Sequence, residues 1–251
     1  MSAFTPSPRT IPDMSDLRHG EWMALAEEEY RRLLALLADL GDGDWQRPTD
    51  CSEWNVRDLV AHLVGNAEMS ASMREMRRLQ KLGRRLRPGG PDIDGMTAVQ
   101  VQERAGVPPE QLMHDLANVA VRAVRARRRI PGLVRSVPIP FGPPLGTRPL
   151  GYLMGCIYTR DTWMHRIDLA RATGRPLRLT ADHDGRIVAD VVAEWAGTHG
   201  QPFALTLTGP AGGRLSRGTG GEAITVDAIE FCRILSGRAT GTGLLVHEVP
   251  F

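Results

Sequence analysis

Over its first two-thirds the chain carries apolar residues at helical spacing, separated by short glycine- and proline-rich breaks. Leu33, Leu34, Leu36, Leu37 and Leu40 give a broad stripe to a helix that starts after Ser15 or Asp16 and runs to about Asp39. Gly41-Asp-Gly43 stops it. A second helix opens at Asn55, a good N-cap, with Asp58 in the favourable first turn. It is apolar from Val56 to Val64, then polar and basic up to the break at Pro88-Gly-Gly-Pro91. A short helical piece covers Met96–Arg104. Pro108-Pro109-Glu110 then opens a long helix to about Arg129, with Leu112, Leu116, Val119, Ala120 and Ala123 on one face. Six prolines between 131 and 149 predict an extended, rigid crossover without an element of its own. The fourth long helix runs from about Leu150 to Ala172 and ends at Thr173-Gly174, with Pro176 behind it.

After Gly174 the period changes. Asp184–Trp195 reads as a helix, and Phe203–Thr208 alternates like a strand that Gly209-Pro-Ala-Gly-Gly213 turns back. Ala223–Val226 predicts a short strand and Asp227–Leu235 a helix closed by Gly237. The fold expected is mainly α. A flexible N-terminus, 1–14, precedes a four-helix bundle, 15–175, and a small α+β domain follows over 178–251. Bundles of this kind place metal sites on facing inner positions.

Composition narrows the function classes. The chain has 251 residues, 42% hydrophobic and 24% charged, as in ordinary globular proteins. No apolar run approaches the roughly 20 residues of a membrane helix, and no secretory signal is visible, so neither a membrane nor export is expected. Three widely spaced cysteines, Cys51, Cys156 and Cys232, fit a reducing compartment, most simply the cytoplasm. Thirty of the 31 basic residues are arginine, as codon bias in a GC-rich genome would produce. Residues 74–87 carry seven basic and one acidic side chain, and a second run includes Arg122, Arg125 and Arg127–Arg129. On helices such runs are ordinarily solvated faces. Aromatics are only 5% and do not interleave with the arginines, so nucleic acid is not an expected partner.

The informative side chains are histidines within apolar helical stretches. His62 follows Asp58-Leu-Val-Ala, and His165 lies four residues after Asp161. Four residues put Asp161 and His165 on one helix face, where both can hold one divalent metal. His62, on another helix, would complete a facial set with open positions for water or substrate. Spacing alone equally permits a solvent-facing pair or a hydrogen-bonded core histidine. The other histidines have no matching spacing: His114 and His183 read as members of exposed polar clusters, and His19, His199 and His247 sit in polar or terminal contexts. Cys51 reads as structural, because no histidine is near it in sequence, and Trp45 and Trp54 as packing at the junction of the first two helices.

The stretch Trp45-Gln-Arg-Pro-Thr-Asp-Cys-Ser-Glu-Trp54-Asn-Val-Arg-Asp-Leu-Val-Ala-His62-Leu resembles the helix-two signature of the mycothiol-dependent maleylpyruvate isomerase family, W-x-x-P-T-x-C-x-x-W-x-V-x-D-L-x-x-H-L, among the DinB-like metal-binding bundles. Asp161-Thr-Trp-Met-His165-Arg-Ile-Asp168-Leu-Ala-Arg-Ala-Thr-Gly174 resembles the second signature, and the C-terminal lobe is similar to the family's sterol-carrier-like domain. The resemblance implies a divalent metal, usually zinc, held by His62, Asp161 and His165, with mycothiol as co-substrate and a small electrophile as substrate. Asp161 departs from the glutamate of the isomerase-like members but keeps charge and ligand type. Asp58 and Asp168 are outer-shell candidates, Asp168 more as a cap or packing partner. Arg238 is the motif-linked candidate to clamp a substrate carboxylate, with Arg214 and Arg217 behind it. The expected activity is metal-dependent isomerisation or thiol S-transfer. The alternative is a non-catalytic small-ligand-binding module. Fold does not fix the reaction.

Overall fold

The computed structural model describes residues 9–10, 17–142 and 146–251. In chain order the elements are β1 (Arg9–Thr10), α1 (His19–Ala38), α2 (Val56–Ala71), α3 (Met73–Leu86), α4 (Asp92–Gln102), α5 (Pro109–Arg128), α6 (Gly132–Arg135), β2 (Pro138–Gly142), β3 (Gly146–Pro149), α7 (Leu150–Tyr152), α8 (Tyr158–Thr173), α9 (Asp184–His199), β4 (Phe203–Thr208), β5 (Gly213–Arg217), β6 (Glu222–Asp227) and α10 (Ala228–Leu235). The chain is mainly α and divides into two compact units: His19–Leu177, and Arg178–Phe251 with Met1–Arg18. Of the N-terminus expected to be flexible, all but Arg9–Thr10 lies outside the described residues.

The first unit is a bundle of α1, α2, α5 and α8. Its core takes Leu33 and Leu37 of α1, Leu59 and Leu63 of α2, and Leu112, Leu116 and Val119 of α5 from the predicted apolar positions, and adds Tyr30 of α1 and Leu169 of α8. Asn55 caps α2 by accepting a hydrogen bond from the Asp58 amide at 2.9 Å, which satisfies one of the four orphan donors of a helix start. Gly174 ends α8 in the left-handed conformation, φ 69°, that a side chain would strain.

Three departures from the pattern have physical causes. The single helix expected up to Pro88 breaks at Ser72, whose extended backbone lets its hydroxyl cap α3 by accepting from the Glu75 amide. Serine competes with helix continuation in this way. The crossover expected to lack elements holds the one-turn α6 and the antiparallel hairpin β2–β3. Proline at Pro138 and Pro149 is tolerated because a two-stranded ribbon has only edges. Finally, α8 is preceded by a π-helical turn, Leu153–Ile157. Arg127, fully buried on α5, donates to the carbonyls of Met154 and Gly155 and to the Thr159 hydroxyl, and so holds that turn from the neighbouring helix.

In the second unit β4 alternates buried Phe203, Leu205 and Leu207 with outward residues. The sheet order is β1-β5-β4-β6; β4 and β5 form the antiparallel pair, while β6 runs parallel to β4. Strand β5 was not legible because Gly213-Arg-Leu-Ser-Arg217 has one apolar residue. Asp227 caps α10, accepting from the Ile229 and Glu230 amides.

One buried ion pair ties α1 to α8: Arg166 donates to Glu29 through Nε at 2.6 Å and Nη2 at 3.1 Å, both side chains being excluded from solvent. Removing one partner strands the other's charge in the core. Glu29→Ala is expected to cost about 3–5 kcal/mol in urea unfolding, and Glu29→Gln less, because the amide still accepts.

Candidate metal centre

The bundle brings His62 of α2 to Asp161 and His165 of α8. One ligand atom from each of the three lies within 4.8 Å of the others. Asp161 Oδ1 is 3.7 Å from His62 Nε2 and 3.4 Å from His165 Nε2. These are long for hydrogen bonds. They match the roughly 3.3 Å edge of a tetrahedron whose ligands stand about 2.0–2.1 Å from a central zinc.

The far nitrogens are already engaged. His62 Nδ1 lies 2.8 Å from Gln100 Oε1, and a carbonyl oxygen can only accept, so Nδ1 carries the proton. His62 Nε2 is then a lone pair, buried and with no hydrogen-bond partner. A buried acceptor left this way is costly unless something fills the point it faces. His165 Nδ1 lies 2.9 Å from Asp168 Oδ2, and Asp168 is fully buried. Asn66 Nδ2 donates to Asp161 Oδ2 at 2.6 Å and leaves Oδ1 turned toward the imidazoles. This is the outer-shell pattern that orients metal-ligating side chains. The two histidine rings meet edge to face at 5.1 Å, and Trp54 stacks on His62 at 5.0 Å. The Asp161 side chain keeps 18% of its surface, against 4% and 7% for the histidines, so the centre opens on the carboxylate side. The donor set fits one divalent ion with positions to spare.

Charge follows the same geometry. Burial by itself would raise Asp161, but the charge of His165 beside it holds its carboxyl well below the usual carboxylate range. Burial would lower His165, yet Asp161, Asp168 and Cys51 hold it well above the ordinary imidazole value.

Several sequence expectations change here. Asp168 is a hydrogen-bond partner of His165, beyond a cap or packing role. Asp58 faces Arg57 at 3.4 Å and is not among the groups that gather at His62. Cys51, read as structural because no histidine is near it in sequence, has its Sγ 4.0 Å from His165 Nδ1 and 3.9 Å from Asp168 Oδ2. Trp45 and Trp54 pack with the core as expected, and Trp54 also stacks on His62. Gln100 and Asn66 were missed. Asn66 is legible in retrospect, one turn after His62 on the same face; Gln100 is not, because α4 has no strong amphipathic signal. His183 is buried, not exposed, at the start of α9. Arg238 lies in the second unit, half-buried just past α10, and lines a recess of about 430 Å³ with Thr240 and Gly241. Arg214 is exposed, and Arg217 donates to the Ala196 carbonyl.

The family described as mycothiol maleylpyruvate isomerase N-terminal domain matches residues 26–170, which include all three converging side chains. This chain belongs to that family. Two solved structures share its fold. The crystal structure of the mycothiol-dependent maleylpyruvate isomerase is 17% identical, with a TM-score of 0.60 over 90% of this chain and 91% of the other. A histidine-to-alanine mutant of that isomerase is also 17% identical, with a TM-score of 0.59 over the same shares. No curated protein matches the chain. No described helix is long and apolar enough to cross a membrane.

Gly65 lets Gln100 reach His62: a Cβ on Gly65 would stand 2.5 Å from Gln100 Cγ and 2.7 Å from its Cβ. Gln100→Leu and Gly65→Ala are each expected to weaken zinc affinity about 10–100-fold, with the helical signal retained, in competition titrations against a chelating dye. The raised His165 fixes the sign of a pH effect. In the metal-free protein the Asp161–His165 contribution is complete below about pH 6.5 and lost as pH climbs through the raised value. Metal must displace that proton, so affinity is expected to rise from about pH 6 to pH 8, with proton release in calorimetry across buffers of different ionisation heat.

Proposed function

We propose that this protein is a divalent-metal enzyme that activates a small thiol, mycothiol or a close analogue, toward a small electrophile. The observation that carries the reading is the convergence of His62 Nε2, Asp161 Oδ1 and His165 Nε2, with His62 Nε2 buried and unpartnered. Membership of the family supports mycothiol as the thiol. Two imidazoles and one carboxylate suit zinc among the common ions. A divalent cation held there would lower the pKa of a coordinated thiol and supply its thiolate near neutral pH.

The chain's own residues set the terms of that chemistry. Gln100 and Asp168 keep both Nε2 atoms aimed inward, and Asn66 keeps Asp161 Oδ1 beside them. Trp54 covers one face of His62 and shields that side from water. The exposed edge of Asp161 is the approach for thiol and electrophile. Attack of the thiolate sulfur on an alkene carbon conjugated to a carbonyl forms a C–S bond and turns the double bond into a rotatable single bond. Rotation and expulsion of the same thiolate give the isomer. Where the sulfur is not expelled and the carbanion takes a proton, the product is a thioether. On its motif position alone, Arg238 is the candidate of this reading for a substrate carboxylate. A reducing cytoplasm, as the three free cysteines suggest, would keep the thiol available.

Elemental analysis after zinc reconstitution is expected to give about one ion per chain, with the ion lost in His62→Ala and His165→Ala. Turnover of maleylpyruvate with mycothiol should stop with a chelator and return with zinc. A folded protein that stays metal-free through reconstitution overturns the metal centre. Ligand binding without turnover and without a chelator effect would favour the binding-module reading.

A further inference from the structure

Arg122, Arg125 and Arg129 stand three and four residues apart, on one stripe of α5 and its C-terminal cap. The stripe borders a groove of about 640 Å³ between α5 and the junction of α2 with α3. Two carboxylates, Glu68 and Glu75, also line it, but both are paired. Glu68 accepts from Arg104, and Glu75 accepts from Arg78 at 2.5 Å, while the same Arg78 holds Glu103 at 2.6 Å. The three guanidinia of the stripe have no carboxylate partner among the described residues. The contrast lies within one helix: Arg128, turned away from the groove, pairs with Glu27 at 2.8 Å. On α3, Arg84 pairs with Asp92 and Arg87, at its end, with Glu53.

A concave site of this size with three unpaired guanidinia has the chemistry of an anion receptor, because planar guanidinium forks match phosphate oxygens. No aromatic side chain lines the groove, so nothing there can stack on a nucleobase. We propose that this groove binds a compact anion carrying two or more phosphate groups, through Arg122, Arg125 and Arg129. The site shares no residue with the metal centre, so it stands or falls independently of the proposed catalytic function.

The test is calorimetric titration of the full-length protein with inorganic diphosphate at low ionic strength, beside orthophosphate and a single-stranded oligonucleotide. Diphosphate is expected to bind with a stoichiometry of about one, more tightly than orthophosphate, and to weaken as salt rises. The double variant Arg125→Gln/Arg129→Gln should bind diphosphate at least about tenfold more weakly. The control Arg74→Gln/Arg77→Gln removes two exposed charges of α3 that do not line the groove, and should change affinity less than about twofold. Absence of diphosphate binding overturns the proposal, as does equal weakening in both double variants. Tighter binding of the oligonucleotide, lost in the groove variant, would overturn it in favour of nucleic acid.

Discussion

His62 and His165 each commit Nδ1 to a buried acceptor, Gln100 and Asp168, and this fixes where the opposite nitrogen points. An imidazole can turn about its Cβ–Cγ bond; one pinned at Nδ1 cannot do so without breaking a buried hydrogen bond. The interior of the bundle therefore contains two Nε2 atoms and a carboxylate oxygen held around one point. The carboxylate is polarised by His165, and its outer edge reaches solvent. The surrounding structure can be understood as what is needed to keep those acceptors in place.

Gln100 is on α4, outside the four principal helices, and reaches His62 only because Gly65 leaves α2 bare where the two meet. Asp161 and His165 are on α8, whose phase depends on the π-helical turn before it. A π turn adds a residue without adding a full turn and rotates everything downstream on the helix. Arg127 bonds to the carbonyls of that turn from α5, and Glu29 holds Arg166, the neighbour of His165, from α1. With Asn66 of α2 donating to Asp161, three helices besides α8 thus bear on the orientation of its two site residues, through polar contacts that are mostly buried. Their cost is high if unmet, which makes the arrangement specific as well as stable.

How much of this was readable from the chain differs from residue to residue. The stripes of α1 and α5 were legible because an apolar face at a 3.6-residue period is a local signal. Asp161 and His165 were legible together because four residues bring two side chains to one face, and His62 because it interrupts an apolar run. Ser72, the π turn and β5 were not. A serine cap reads the same inside a helix as at a break, an inserted residue in a helix leaves no periodic mark, and β5 has a single apolar side chain to declare its face. The neighbours of Cys51 were not legible either, because sequence distance says little about spatial distance. Cys51 is 114 residues from His165, yet its sulfur is 4.0 Å from the ring. Gln100 could not be chosen from the chain at all, since a polar residue on a weakly amphipathic helix belongs as naturally on the surface.

The position of Cys51 also bears on what the centre can tolerate. Its sulfur lies on the Nδ1 side of His165, beside the hydrogen bond to Asp168, while the three converging donors are on the Nε2 side. On that outer side the thiol gathers with His165 Nδ1 and Asp168 in a second cluster of possible ligand atoms, separated from the three converging donors by the width of the imidazole ring. The protein's own thiol is therefore kept apart from the point on which the three donors converge. A thiol-activating centre needs that separation, because a resident thiolate bound to the ion would fill the position that the substrate thiol requires and quench the charge that acidifies it. Two imidazoles and one aspartate leave a divalent ion with a net charge of about plus one and an unfilled position. That is the electrostatic condition under which a small external thiol, more than any group of the chain, would become the nucleophile.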